Sequence, residues 1–403
     1  MTTTINNKHN KLNAPNLRFP EFQGEWEKKS LGEIGDSFIG LTYKPTDVVS
    51  EGGLIVFRSS NIQNGCMDYK DIVRVNKNVK EKLITKKDDL LVCARNGSAR
   101  LIGKNAILHE TDANQTFGAF MMVFRSDKNH FVHQLLNTRR YSSQVSENLG
   151  ARINQITSSD LSSFEFFFPT ENSEMNKIAA LLDLLDERIA TQNKIIDKLQ
   201  SLIKGINHRV FMNSGNNYKL GEICEIRSGY SGSQLLSKKG LKVSRIETIS
   251  GHKVNMERVG YVAPFESSEN YRLRVGDILF SNINSVEYIG NTAFIDKDYD
   301  LYHGMNLLRL TPNHMVVIPF YLYLLLNTNR MLNRFKTVCN KAVSQASINQ
   351  TELGKTVVQI PPINTQEQIC ELYQALYTKL ETESHTKSLF QNHKQYMLRQ
   401  MFI

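Results

Sequence analysis

The chain has 403 residues, 22% of them charged, and a formal net charge of +9, which suits two soluble domains of ordinary size and points weakly to a polyanionic partner. No run approaches the roughly eighteen apolar residues of a membrane helix. Five scattered cysteines (Cys66, Cys93, Cys224, Cys339, Cys370) show no C-x-x-C spacing and argue against a disulfide framework or a zinc site, leaving reduced thiols in a cytoplasmic protein as the reading.

In chain order, MTTTINNKHNKLNAPN is polar, lacks the apolar core of a signal peptide, and reads as a mobile arm. The runs GGLIVFRSS, DDLLVCA, AFMMVFR and FEFFFP follow as short strands between turn signals. The stretch HFVHQLLNTRRYSSQVSENL interrupts them as a helix, so residues 1–171 read as one mixed α/β domain. Asn172 and Ser173, just after Pro169, can cap a new helix. From there Ile178, Leu182, Leu185, Ile189, Gln192, Ile196, Leu199, Ile203, Ile206 and Val210 alternate steps of four and three. Nine of these ten are apolar, which makes a narrow stripe suited to a partner helix over residues 172–212, ended by Asn213 and Gly215.

A second strand-rich domain occupies 213–363, and its greasiest run, IPFYLYLLL at Ile318–Leu326, reads as a buried helix. Residues 364–403 close the chain with a second seam: Ile369, Tyr373, Leu376, Leu380, Glu383, Lys387, Phe390, Lys394, Met397 and Met401. Three charged entries make it the weaker of the two. Two closing helices of matching length are expected to pair with each other, antiparallel, with Ile178 near Met401 and Gln192 opposite Lys387. The competing arrangement packs each helix on its own domain, or leaves the charged part of the second seam in solvent.

The order of elements repeats because the chain is duplicated. LGEI occurs at Leu31–Ile34 and Leu220–Ile223, and LLNT at Leu135–Thr138 and Leu325–Thr328. DDLLVCARNGSARLIGKNA matches GDILFSNINSVEYIGNTA, and ITSSDL at Ile156–Leu161 matches INQTEL at Ile348–Leu353. Pro169 maps to Pro361, Ile178 to Ile369 and Phe211 to Phe402, all within offsets of 187–192. The four segments carry 22 basic and 19 acidic, 6 and 5, 17 and 12, and 4 and 4 side chains, so the positive excess sits on the two larger ones.

Catalytic motifs are missing from the sequence. GSARLIGKN has the wrong spacing for a phosphate-binding loop, and no H-E-x-x-H, G-x-S-x-G or His–Cys metal pattern occurs. A nuclease-like reading of Glu21, Glu27 and Lys29 is no better than a charged surface turn, and His208, His303, His385 and His393 have no catalytic partner in sequence.

LRFPEFQGEWEKKSLGEI at Leu17–Ile34, the junction ITSSDLSSFEFFFP with IAALLDLLDERI, and the second junction INQTELGKTVVQIPPINTQEQI resemble the specificity (S) subunit of type I restriction–modification systems. Glu367–Gln368 matches the usual glutamate–glutamine pair, whereas the first copy reads SEMNKI there. The resemblance implies an α/β (mixed α+β) fold with two pseudo-repeated globular DNA target recognition domains, separated by two long helices in an antiparallel coiled coil. Each domain would read half of a bipartite, asymmetric target in double-stranded DNA. The helices would set the spacing and dock methyltransferase subunits, two in number, with restriction–translocase subunits reached through the complex. The chain itself would hold no cofactor or metal and catalyse nothing; S-adenosylmethionine, ATP and magnesium would belong to partner subunits. The alternatives are a two-domain scaffold for other proteins, or a catalytic DNA methyltransferase or nuclease chain.

Phosphate anchoring calls for Arg and Lys, and base reading for Arg, Asn, Gln and Ser/Thr on loops. The candidates are Lys44, Arg58, Asn61, Arg95, Asn96, Arg100, Arg152 and Gln155 in the first domain. In the second they are Tyr230, Arg245, Asn282, Asn284, Lys341 and Gln345. Three pairs fall at equivalent places: Arg58 with Arg245, Asn96 with Asn284, and Gln155 with Gln345.

Overall fold

A computed structural model describes residues 2–3, 13–151, 154–211, 215–341 and 345–403. Most of the polar N-terminal arm lies outside the described residues. The chain forms two compact units, one of residues 1–195 with 383–403, the other of residues 196–382.

In the first unit the elements run β1 (Glu27–Ser30), α1 (Leu31–Ile34), β2 (Asp36–Ile39), β3 (Leu54–Phe57), β4 (Leu90–Cys93), β5 (Asn105–Ile107) and β6 (Met121–Arg125). They continue with α2 (Asn129–Leu135), α3 (Arg139–Ala151), α4 (Ser158–Ser163), β7 (Glu165–Phe168) and the 39-residue α5 (Asn172–Val210). The central antiparallel sheet has the order β5-β4-β6-β2, with Leu90 opposite Phe124 and Leu91 opposite Val123. Successive strand side chains point to opposite faces, and in β4 and β6 both sets are apolar. Leu90, Val92, Met122 and Phe124 pack with Trp26, Phe131, Phe168 and the C-terminal Phe402. Leu91, Cys93, Met121 and Val123 face the other way, onto Phe57 and Phe117. This explains why these strands read as continuous apolar runs.

The second unit repeats the plan with β8 (Asn216–Lys219), α6 (Leu220–Ile223), β9 (Cys224–Ser228), β10 (Ile278–Ser281), β11 (Thr292–Phe294) and β12 (Leu307–Pro312). It ends with α7 (Pro319–Leu326), α8 (Asn329–Val338), α9 (Gln350–Gly354), β13 (Val357–Ile360) and α10 (Ile363–Met401). Its sheet order, β11-β10-β12-β9, is the first unit's order strand for strand. Ile318–Leu326 does contain a buried helix, and no helix is long and apolar enough to cross a membrane among the described residues.

The repeated words of the sequence are repeated hydrogen-bonding devices. In LGEI the glutamate reaches back to cap its own helix: Glu33 accepts the Ser30 N–H at 2.7 Å, and Glu222 accepts the Lys219 N–H at 2.7 Å. In LLNT the threonine starts a new helix, so the expected single helix over 130–149 is two, α2 and α3. Thr138 donates back to Leu135 O at 2.6 Å, and Thr328 to Leu325 O at 2.8 Å, which ends the preceding turn in each copy.

Within each unit α5 and α10 run antiparallel. In the first, Asp186 meets Lys394 and Gln192 meets Glu383; in the second, Asn207 meets Tyr373. All twenty seam positions are buried or half-buried, whereas Leu184 and Leu202, off the seam, are 59% and 50% exposed. The weaker second seam therefore faces inward as well. One expectation is corrected: Gln192 does not lie against Lys387 but donates to the side chain and main-chain oxygen of Glu383, one turn away. In this register the Gln192 amide N–H groups meet a carbonyl and a carboxylate oxygen that accept them.

At the head of α5 the buried Glu174 is held in a fork by Arg18, with Nε–Oε1 and Nη2–Oε2 both 2.7 Å, and accepts a third bond from Trp26 Nε1 at 3.3 Å. In the second unit His303 is buried, and its Nε2–H donates to Leu307 O at 2.9 Å. Burial pushes the imidazole down to about 4, with the nearby Arg309 adding to the effect and the Leu307 bond opposing it. The folded protein thus takes up the His303 proton less readily than the unfolded chain. Its contribution to stability is complete above the unfolded value of about 6.5 and is lost as the pH falls toward 4. His303→Asn is expected to flatten the fall in stability between pH 6.5 and 4, measured by urea unfolding at a series of pH values; an unchanged slope would show that His303 is not responsible.

Candidate nucleic-acid interface

In the first unit the loop after β3 is a single turn whose N–H at Arg58 donates to Asn61 Oδ1 at 2.9 Å. Asn61 is 1% exposed, and its amide donates to Asp68 O at 3.0 Å and Asp71 O at 2.9 Å. It is corrected from a contact residue to the clasp that shapes the loop, because every polar group of its side chain is engaged inside the protein. Arg58 is half-buried and paired with Asp71 at 2.7 Å. The loop after β4 is tied to it: Asn96 Nδ2 donates to Ser59 Oγ at 3.0 Å, while Asn96 Oδ1 accepts the Ser98 N–H at 3.0 Å. Beside it Arg95 is exposed, bridges through its backbone to the half-buried Gln155, and lies 5.3 Å over the ring of Phe120. Arg100 is exposed on the turn Ala99–Leu101, and Lys44 is exposed at the head of the turn Pro45–Asp47. Arg58, Arg95, Asn96 and Gln155 thus come together on adjoining loops. Arg152 lies outside the described residues.

The second unit builds its loops the same way. The Arg245 N–H donates to Thr248 Oγ1 at 2.9 Å, and Thr248 donates on to Arg258 O at 2.6 Å, so Thr248 stands where Asn61 stands in the first copy. The Arg245 side chain is exposed, with Glu247 3.4 Å from Nε. Asn284 Nδ2 donates to Ser281 Oγ at 3.1 Å and Oδ1 accepts the Ser285 N–H at 2.8 Å, so it braces its own segment, whereas Asn96 ties its loop to another. The short strand Ile283–Asn284 pairs with Ala346–Ser347, which also pairs with Asn340–Lys341. That sheet gathers Asn282, Asn284, Lys341 and Gln345, with Lys341 and Gln345 exposed and Asn282 half-buried. Tyr230 is half-buried: its ring stacks on Phe265 at 3.9 Å and 8° and meets Tyr271 edge-on at 5.5 Å, so one face is covered within the unit.

A backbone crossing repeats beneath both surfaces. Leu41 bridges Gly118 in parallel, and Tyr230 bridges Gly304 in parallel. A Cβ at Gly40 or Gly229 would overlap the carbonyl of Gly118 or Gly304, so these crossings require glycine.

What the described loops present is hydrogen-bond donors and acceptors on a backbone held by these bonds. One group among the described residues could offer three metal-donor atoms, His133, Asp183 and Asp186, within 4.8 Å of one another. There Lys394 Nζ already lies 2.6 and 2.7 Å from the two Asp186 oxygens, and Gln134 donates to Asp183 at 2.8 Å and Asp186 at 3.0 Å. His133 is buried among them, and burial, reinforced by the Lys394 charge, pushes it down to about 4. The carboxylates are neutralised from within the protein.

Sequence reasoning missed Phe120, which is 58% exposed between the buried Gly118 crossing and Met121. AFMMVFR reads as one apolar strand, and nothing in it marks the first aromatic as lying outside the sheet.

A family profile described as "Type I restriction modification DNA specificity domain" matches twice, at residues 23–201 and 214–389. The chain is 38% identical over 188 residues to a putative type I restriction enzyme MjaX specificity subunit of Methanocaldococcus jannaschii, covering 46% of this chain and 44% of that one. It is 26% identical over 395 residues to the type I restriction enzyme EcoKI specificity subunit of Escherichia coli, covering 89% of this chain and 83% of that one. The crystal structure of a type I restriction–modification system S subunit from M. genitalium aligns over 97% of this chain and 99% of its own, with a TM-score of 0.63 at 17% identity. With both of its copies matched over most of their length, the chain belongs to the type I restriction–modification DNA specificity family.

Proposed function

We propose that this chain is the sequence-reading subunit of a type I restriction–modification complex acting in the cytoplasm, and that its two units each read one half of a bipartite, asymmetric DNA target. The observation that carries the reading is the repeated loop device. Arg58 and Arg245 head equivalent turns, closed by Asn61 and by Thr248, and Asn96 and Asn284 each accept a main-chain N–H of the loop that follows the matching strand. The same scaffold carries different exposed side chains, Phe120 and Arg100 in one copy, and Lys341 with Tyr288, which is 49% exposed, in the other. Two readers on one scaffold with unlike surfaces suit two unlike half-sites. The subunit itself performs no chemistry; S-adenosylmethionine, ATP and magnesium are used by the methyltransferase and restriction–translocase subunits, two methyltransferases docking on the helices. Residues 1–171, 172–212, 213–363 and 364–403 act as reader, spacer, reader and spacer.

Exchanging residues 1–171 for the matching segment of a relative, with the partner subunits present, is expected to change one half of the methylated sequence and leave the other intact. Genome-wide methylation mapping reads this directly. Both halves changing together would refute independent reading.

A further inference from the structure

Phe120 is a large apolar side chain held in solvent by a rigid backbone. Its carbonyl accepts the N–H groups of Ala94 and Arg95 at 2.9 and 3.0 Å, the Ala119 N–H donates to Leu41 O at 2.9 Å, and the Gly118 N–H donates to Phe57 O at 2.9 Å. Three separate segments therefore fix the position of a ring that is 58% exposed. The Arg95 guanidinium lies 5.3 Å over that ring, which orients its fork without using any of its donors. The adjoining Arg58 and Lys104 are engaged elsewhere, with Asp71 and with Ile62 O, whereas Arg95 is exposed beside them. In the second unit the chain after the matching crossing reads Gly304-Met305-Asn306, with Met305 39% exposed and Asn306 at φ 64°, and offers no ring.

We propose that Phe120 and Arg95 act as one reader in the major groove, the Arg95 fork taking a guanine O6 and N7 while the Phe120 ring packs on the C5 methyl of an adjacent thymine. Guanine presents two acceptors matched to a guanidinium, and thymine presents the methyl that an apolar surface distinguishes. This rests on the reading of the chain as a DNA-binding subunit and names which residues set one base step of the half-site read by the first unit.

The test uses the full chain assembled with its methyltransferase subunits and synthetic duplexes carrying the mapped target, with uracil replacing each thymine in turn. Uracil lacks only the methyl. Replacing the thymine beside a guanine in the first unit's half-site is expected to weaken binding about fourfold, the effect of losing one buried methyl. Phe120→Ala is expected to abolish that discrimination while the half-site of the second unit is unchanged, and Arg95→Lys to relax the guanine preference about tenfold, as loss of a bidentate contact does. Phe120 is exposed, so the fold is checked by the fluorescence of the buried Trp26. Specific binding in which Phe120→Ala keeps the thymine–uracil discrimination, or a first half-site with no thymine beside a guanine, overturns this inference alone. Absence of sequence-specific binding by the unmodified complex overturns the DNA-reading assignment and this inference with it.

Discussion

Lys394→Met is expected to lower the stability of the first unit by about 2–3 kcal/mol. Breaking one side of a buried ion pair costs about 3–5 kcal/mol because the remaining charge is stranded, and the figure is reduced here because the Asp186 side chain is 31% exposed. Without the ammonium, Asp186 keeps Gln134 as its neutral donor, and the Asp183–His130 bond at 2.6 Å stays in place beside it. The double replacement Asp186→Leu with Lys394→Met is expected to regain most of the loss, since the pair adds specificity more than stability. The second unit supplies an internal comparison: by the repeat offset of 191, Asp186 and Lys394 correspond to Tyr377 and Ile203, an apolar layer. The chain's one tryptophan, Trp26, is 2% exposed in the first unit's core, so its fluorescence during urea unfolding reports this unit. A double variant as unstable as the single one would show that the layer is held by something other than the charge pair. His133 gives a second readout. The Lys394 charge helps hold its proton affinity down, so Lys394→Met should raise it, seen as a shift in the imidazole titration by NMR.

Four residues inserted after Gln192, together with four after Thr382, are expected to lengthen the gap in the methylated target by one or two base pairs while both half-sites stay the same. Four residues extend a helix by about 6 Å at 1.5 Å each, close to two base pairs at about 3.4 Å. A step of four adds one extra four to the seam's alternation of fours and threes, a stutter that a coiled coil accommodates by local unwinding. The insertion has to be made in both helices, because Gln192 is bonded to Glu383 and Asp186 to Lys394. Lengthening α5 alone carries one set of partners a turn past the other, and is expected to cost stability and methylation together. Methylation mapping in cells expressing the paired insertion decides the matter. An active variant that keeps the original gap would end the idea that the helices measure it.

Much of this protein is legible along the chain. The duplication, both seams, the capping of α1 and α6 by their own glutamates, and the apolar strands β4 and β6 all follow from interactions between residues a few positions apart. Local periodicity and short-range hydrogen bonding are written in the sequence as spacing, and LGEI recurs because a glutamate two residues into a short helix reaches the residue before it. What spacing cannot carry is the identity of a partner 150 or 200 residues distant. Glu174 looks like an ordinary first-turn acid until Arg18 closes on it. Lys394 counts as a flaw in a seam until Asp186 is placed against it, 208 positions away. Asn61 carries the right chemistry for DNA, and only the packing around it shows that its amide, clasped by three main-chain groups, is spent inside the protein. Phe120 is the reverse case: an apolar residue in an apolar run, left in solvent because the crossing at Gly118 turns the chain outward before the sheet begins. Side-chain type and period determine which elements form and which face is apolar. Burial and exposure of any one polar or aromatic side chain depend on segments that meet only when the units close, and that was decided by the tertiary structure alone.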